Sequence, residues 1–399
     1  MRRALLLPLL LLACGDASAA TDAGTDSMTA TTAGSETGGE TDETDTTGEA
    51  PVNYEEPGPH PVGNTRFTLV DPDRGRTLQV EVWYPADATA ADAAAQGQPI
   101  EDFVDGPDHQ RFVDLLPAAA DPGTRRQTSS ARDAAPAPDG LWPLVAFSHC
   151  HGCVRFAKFS VAERLASHGF AVVAPDHQGN TVFDALDDMN APLSGEFLAT
   201  RAGDISAVLD AALDLDAAEV PALVRGRFDP ARVGVMGHSY GATTAGLVAQ
   251  DDPRVLAAMP IAAPIENPLL PGPLLADIHV PVFFVLAVED NSILELGNNI
   301  LRNNFKIANS PAWLAEVSDA GHWGFSDICG LIPEFAAGCG EGVRQTDGAP
   351  FTYLDVDVGR GLVGAYATAF FDAHLRGSDE GAAYLEAAHP EGVVTIKAR

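Results

Sequence analysis

The stretch from Val233 to Gln250 reads VGVMGHSYGATTAGLVAQ. Val233 to Met236 is a short apolar run of strand type, and Ala242 to Gln250 is a small-residue segment compatible with a helix. Between them stands Gly237-His238-Ser239-Tyr240-Gly241, a G-x-S-x-G sequence between strand and helix, the context that a nucleophile elbow requires. A turn this tight strains the backbone of its serine, and only glycine-sized neighbours let the chain pass so close to itself. Ser239 is therefore expected at the C-terminal edge of a sheet, at the positive end of a helix.

A serine alcohol is a weak nucleophile at neutral pH. It needs a base to take its proton and a carboxylate to orient that base. At such an elbow the partners follow in the order serine, acid, histidine. Downstream of Ser239, the apolar run Val280 to Val288 ends at Glu289-Asp290, and Glu316-Val317 leads to Asp319-Ala320-Gly321-His322-Trp323. Both sites lie where strands give way to loops, at the sheet edge that should carry Ser239. Asp290 is expected as the acid, with Glu289 as its rival, and His322 as the base. The tetrahedral oxyanion needs two backbone N–H donors: one is the amide of Tyr240, and the other comes from the loop after the Leu144–Phe147 strand.

The surrounding chain alternates strand and helix. Arg66–Val70 and Thr77–Tyr84 read as a hairpin around Asp71-Pro72-Asp73-Arg74-Gly75. Residues 86–140 read as a long excursion with one or two short helices. Strands follow at Leu144–Phe147, Phe170–Ala174, Val255–Ile261 and Val280–Val288, and helices at Phe159–His168, Arg201–Leu215 and Asp355–Leu375. This is an α/β class chain, a mostly parallel sheet with helices on both faces. Arg201 and Asp204 read as a structural ion pair.

The N-terminus differs in kind. Arg2 and Arg3 precede the apolar run Ala4 to Ala13, which is far short of the ~20 residues that span a bilayer and reads as a signal peptide over residues 1–13. Leu11-Leu12-Ala13-Cys14 resembles a bacterial lipobox, which implies cleavage before Cys14 and lipid on its thiol; a plain signal peptide cut after Ala20 is the alternative. Residues 14–56 are rich in Thr, Gly, Ser, Asp and Glu and read as a disordered acidic tether. The expected location is exported and lipid-anchored. The catalytic domain is expected over residues 57–399. The net charge of −32, with no basic stripe, argues against nucleic acid as a partner. Cys150, Cys153, Cys329 and Cys339 fall in two close pairs. In an exported chain they are disulfide candidates, paired locally or cross-linked between the two loops. His149, Cys150, His151 and Cys153 are too crowded to ligate one tetrahedral ion, so neither metal nor cofactor is expected.

A wider pattern joins these pieces. Pro61-Val62-Gly63, Asp71 with Arg74-Gly75, Glu81-Val82-Trp83-Tyr84-Pro85, Phe147-Ser148-His149, Leu165-Ala166-Ser167-His168-Gly169-Phe170, Asp176-His177, the elbow and Gly321-His322 resemble platelet-activating-factor acetylhydrolases and the dienelactone-hydrolase-like bacterial proteins related to them. The resemblance implies an α/β-hydrolase fold, Ser/Asp/His catalysis on small ester or lipid substrates, no metal, and the His151 amide as the second oxyanion donor. The chain departs from the acetylhydrolases where their acid would stand: Pro260-Ile261-Ala262-Ala263-Pro264 offers no carboxylate before Glu266, which moves the acid to Asp290. Cys150 and Cys153 also replace small residues of the oxyanion loop. A serine hydrolase of carboxylic esters is the expected activity. The rivals are a dienelactonase or polyesterase on the same machinery, and an inactive fold serving as a surface binding module.

Overall fold

A computed structural model describes residues 52–387 and 392–399. The signal-peptide reading and Cys14 fall outside the described residues. Of the segment read as a tether, residues 52–56 are described: Tyr54 is buried and its hydroxyl donates to Asp372 Oδ2 at 2.7 Å, so packed chain begins before residue 57.

The strands are β1 (Val62–Asp71), β2 (Arg76–Pro85), β3 (Ala131–Arg132), β4 (Trp142–Ser148), β5 (Ala171–Pro175), β6 (Phe228–His238), β7 (Val255–Ile261), β8 (Val282–Ala287), β9 (Ala312–Val317), a short pair β10 (Glu341–Val343) and β11 (Pro350–Thr352), and β12 (Val394–Ala398). All but the short pair form one sheet in the order β12-β9-β8-β7-β6-β4-β5-β2-β1-β3. The six strands from β5 to β9 by way of β4 run parallel; the β1–β2, β2–β5 and β9–β12 pairs are antiparallel, and the short β3 lies parallel to β1. The β1–β2 hairpin closes at Asp71↔Arg76, around the turn residues that its sequence supplies.

The helices are α1 (Ala91–Gln96), α2 (Pro107–Leu115), α3 (Phe159–Ser167), α4 (Val182–Leu186), α5 (Gly195–Leu213), α6 (Tyr240–Asp251), α7 (Leu294–Ile307), α8 (Val356–Phe371) and α9 (Asp379–Glu386). β5, β7 and β8 are apolar throughout, and β4 up to Ser148, as strands covered on both sheet faces are. Along β4, Val145 and Phe147 pack into a core shared with α3 and α8. Leu144 and Ala146 pack into a second core shared with α5 and α6. The chain reverses its winding at β4, which has β5 on one side and β6 on the other. In open parallel sheets a ligand crevice lies at such a switch point, outside the carboxyl ends of the strands. The loops after β4 and β6 meet there.

Candidate active site

Ser239 follows β6 and precedes α6 with φ 58° and ψ −123°, a conformation disfavoured for any residue with a Cβ. Two close approaches explain the flanking glycines. A Cβ on Gly237 would lie 2.0 Å from the Gly241 carbonyl oxygen, and a Cβ on Gly241 would lie 2.0 Å from that of Ser148. The Ser239 amide donates to the Ile261 carbonyl at 2.9 Å, which ties the elbow to the end of β7.

His322 opens a short 3-10 turn after β9, and Asp290 follows β8. His322 Nδ1 donates to Asp290 Oδ2 at 2.7 Å, and both side chains are out of solvent. The other carboxylate oxygen, Oδ1, accepts from the Ser292 and Ile293 amides at 2.9 Å each. The neighbouring Glu289 turns elsewhere, accepting from Arg344 Nη1 at 3.2 Å and the Gln345 amide at 2.8 Å. The structure thus brings Asp290, not Glu289, to His322.

Two buried donors hold the His322 turn from beneath. His238 Nε2 donates to the His322 carbonyl at 3.0 Å, directly linking the elbow to the histidine loop. Lys158 Nζ donates to the Phe325 carbonyl. Burial pushes the Lys158 ammonium down to about 7, against the attraction of Asp327. Burial, with Lys158 nearby, holds His238 well below the usual imidazole range, so it stays neutral and keeps its donor role. Nothing in the sequence pattern marks Lys158: it stands in a helix-start position and its importance comes only from the contact.

The loop after β4 is the most heavily braced part of the site. Cys150 and Cys153 form a disulfide across it. Arg201, fully buried, donates to the His149 carbonyl, to Asn180 Oδ1, to Ser148 Oγ at 3.1 Å and to Thr244 Oγ1 at 3.2 Å. Its guanidinium also lies over the Tyr240 ring at 4.8 Å. Burial draws Arg201 down to about 9. Asp204 does not pair with it as expected. Asp204 instead accepts from Arg74, from Arg76 and from His177 Nδ1, because the β1–β2 turn and the first residue of β2 bring the two arginines to the middle of α5.

His177 Nε2 in turn meets Ser148 Oγ at 2.9 Å, so Ser148, His177 and Asp204 form a second Ser/His/Asp chain. All three are sealed from solvent, and Ser148 Oγ is already engaged by Arg201, so this chain is structural. His149 completes the brace: its Nε2 accepts from the His177 amide at 3.0 Å and its Nδ1 donates to the Cys150 carbonyl at 2.7 Å. Burial, helped by Arg201, keeps His149 neutral, as that pattern demands.

These bonds place residue 151 beside residue 240. The His151 ring lies 6.1 Å from the Tyr240 ring, and His151 Nε2 donates to the Ala191 carbonyl at 3.1 Å. Among the described residues, neither the His151 amide nor the Tyr240 amide, the latter in the first turn of α6, donates to a protein acceptor. Two backbone donors thus remain open at the crevice.

The second cysteine pair departs from the expectation of a disulfide. Cys329 and Cys339 are free thiols. Cys339 Sγ is turned onto the Ala336 carbonyl at 3.4 Å. Burial pushes the Cys329 thiol strongly up.

The Cys150–Cys153 ring borders the His151 amide, which gives a testable consequence. Reduction, or Cys150→Ala with Cys153→Ala, should lower kcat about tenfold and leave KM nearly unchanged, since a loosened donor matters most in the transition state. Complete loss of one oxyanion donor costs about 10²–10³, and the Arg201 contacts should preserve part of the geometry. Steady-state kinetics before and after reduction decides this, and unchanged kcat would leave the disulfide a packing element.

The comparisons with known proteins agree with this geometry. The Dienelactone hydrolase family model matches residues 134–327, and that of Platelet-activating factor acetylhydrolase, isoform II matches residues 51–194. Cutinase est2 of Thermobifida alba is 30% identical over 164 residues, 41% of this chain and 47% of that protein. Cutinase est1 of the same organism is 36% identical over 101 residues, 25% of this chain and 28% of that protein. The chain therefore spans about half or less of these curated relatives. The solved structure of a ferulic acid esterase from Streptomyces cinnamoneus superposes with a TM-score of 0.57 at 25% identity, covering 80% of this chain and 91% of that one. With a mostly parallel sheet wound about β4, an elbow after β6 and a superposition over most of an esterase chain, the protein has the α/β-hydrolase fold, and it is similar to the dienelactone hydrolase family over residues 134–327 and to platelet-activating factor acetylhydrolase, isoform II over residues 51–194.

Proposed function

We propose that the protein is a serine hydrolase of carboxylic esters. Ser239 attacks the ester carbonyl while His322 takes its proton, and the Tyr240 and His151 amides receive the oxyanion. His322 then returns the proton to the leaving alcohol. Water, activated by the same histidine, releases the acid from the acyl-serine. Asp290 keeps the His322 Nδ1–H in place, so that Nε2 is the nitrogen left to act on Ser239. The observation that carries the reading is the buried 2.7 Å Asp290–His322 pair on a turn bonded directly to the elbow.

The substrates proposed are small, short-acyl or phospholipid-like esters. Exposed apolar side chains stand among the loops at the carboxyl ends of the strands: Met189 and Leu193 between α4 and α5, and Leu269 after β7. They suit an apolar acyl or alcohol group. A polyester substrate is the second reading, favoured by the cutinase relatives. A panel of nitrophenyl esters of rising acyl length, run beside an aliphatic polyester film, separates the two. We expect kcat/KM to fall beyond short acyl chains; film hydrolysis with weak turnover of the soluble esters would support the polyester reading instead.

The export and anchoring of the chain through a lipid on Cys14 remain part of this proposal. Among the described residues no helix is long and apolar enough to cross a membrane. In a bacterial host, Cys14→Ser should shift the protein from the membrane to the soluble fraction on centrifugation. Unchanged membrane association would remove the lipid from the account.

A further inference from the structure

A cavity of about 800 Å³ lies against the outer faces of α3 and α8, with α1 as its third wall, and none of Ser239, Asp290 and His322 lines it. Its charge is unusual for a chain of net charge −32. Arg125, Arg126 and Arg164 line it, and among the described residues none of the three makes an ion pair with a carboxylate. Their guanidinium groups donate to carbonyls: Arg125 to Gln127 at 3.4 Å, Arg126 to Ala119 at 3.2 Å and Arg164 to Tyr54 at 3.0 Å. Arg164 is half-buried, and burial, with Arg125 nearby, draws it below its usual value. Arg164 feels the attraction of Glu56 and Glu55 as well as the like charge of Arg125, but among the described residues no carboxylate is in ion-pair contact with it.

Glu163, on α3 beside them, is only 5% exposed. Its Oε1 accepts from the Ser129 amide and the Ser130 hydroxyl, both at 2.8 Å. Its Oε2 has no partner among the described residues, although the side chain lines the cavity. Burial pushes this carboxyl up to about 8, so near pH 7 it holds a proton to donate. Of the other acids there, Asp357 is engaged by Arg360 at 3.1 Å, and Asp121 lies at the exposed rim. An apolar stretch of wall is formed by alanines of α1 with Pro61 and Val62, and His60 and the hydroxyls of Ser160 and Ser167 stand elsewhere in the lining.

We propose that this cavity binds a small carboxylate with an apolar body, its charged end between Arg125 and Arg164 and against Glu163 Oε2, its body along the α1 wall. Charge-assisted bonds to guanidinium are the strong component of such a site, and the apolar wall selects against bare anions. The site is separate from the ester-cleaving centre and does not depend on that assignment.

The test is calorimetric titration of the full chain carrying Ser239→Ala with hexanoate, and in parallel with inorganic phosphate and with hexanol. Hexanoate should bind saturably, and phosphate and hexanol each at least about tenfold more weakly. Adding Arg125→Gln and Arg164→Gln should weaken hexanoate about tenfold or more. Gly361→Trp provides a second variant if the double change disturbs folding. Gly361 lines the cavity, and a Cβ built there meets no atom within 4 Å, so the indole can fill the space without displacing backbone. It should abolish hexanoate binding with an unchanged circular dichroism spectrum. Absence of saturable binding, equal binding of phosphate or hexanol, or hexanoate affinity that survives both the double arginine change and Gly361→Trp would overturn the proposal.

Discussion

Ser239→Ala should abolish both turnover and covalent labelling by a fluorophosphonate, while leaving the fold and its melting temperature in place. The expected fall in kcat is about 10⁵- to 10⁶-fold, the scale on which a serine hydrolase loses activity without its nucleophile. The fold should survive for a specific reason. The Ser239 side chain caps no helix and makes no hydrogen bond to another described residue, so its removal opens no buried vacancy in a bonding network. The strained backbone at φ 58° is as costly for alanine as for serine and adds no new destabilisation. The alternative source of labelling is Ser148, which has its own histidine and aspartate. Ser148 is sealed at the end of β4 with Arg201 on its oxygen, and labelling should persist in Ser148→Ala. Full esterase activity in Ser239→Ala would sink the proposed mechanism, and no labelling in the unmodified protein would favour a binding module.

The parts of this fold that could be read in advance are those where local chemistry and burial agree. The apolar strands β4, β7 and β8 are buried on both faces, so composition alone marks them. The β1–β2 turn carries its own Pro and Gly. α7 is harder to see: Ile293 stands at its N-cap without a side-chain cap, and the Asp290-Asn291-Ser292 run before it reads equally as the acid loop. β12 is a five-residue edge strand whose partner, β9, lies about eighty residues earlier; its short polar alternation means little without that partner. α5 begins at Gly195, capped by the Ser194 hydroxyl, ahead of the apolar spacing that defines its middle. In the site, residue order could suggest an acid near 290 and a base at 322, but separating Asp290 from Glu289 needed their partners. The bracing by Arg201 and Lys158 involves bonds to backbone carbonyls, which carry no signature in side-chain identity. The thiols of Cys329 and Cys339 show the opposite limit, since proximity in sequence and space did not make a bond.

Asp290→Asn should cost about 10⁴-fold in kcat, whereas Glu289→Gln should cost no more than a few-fold. In the native site, Asp290 Oδ1 is held by the Ser292 and Ile293 amides, and Oδ2 receives the His322 Nδ1–H. Asparagine has one acceptor oxygen and one donor nitrogen in the same space. The two backbone N–H groups require the oxygen, so the new NH₂ must face His322 Nδ1. A donor there forces the imidazole proton onto Nε2, the nitrogen that has to accept from Ser239, and the base is lost without any change of shape. Folding should be little affected, because both amide bonds to the side chain are kept. Glu289 has a different environment: it accepts from Arg344 and the Gln345 amide, and glutamine retains an acceptor for one of them. Arg344 is more than a third exposed, so weakening that ion pair should cost little. The two variants are matched in size and adjacent in sequence, so their ranking is insensitive to general loosening of the loop. Comparing kcat for both with the melting temperature of each separates a lost tautomer from a lost fold. A larger loss in Glu289→Gln, at equal stability, would transfer the acid to Glu289 and require the loop after β8 to rearrange before catalysis.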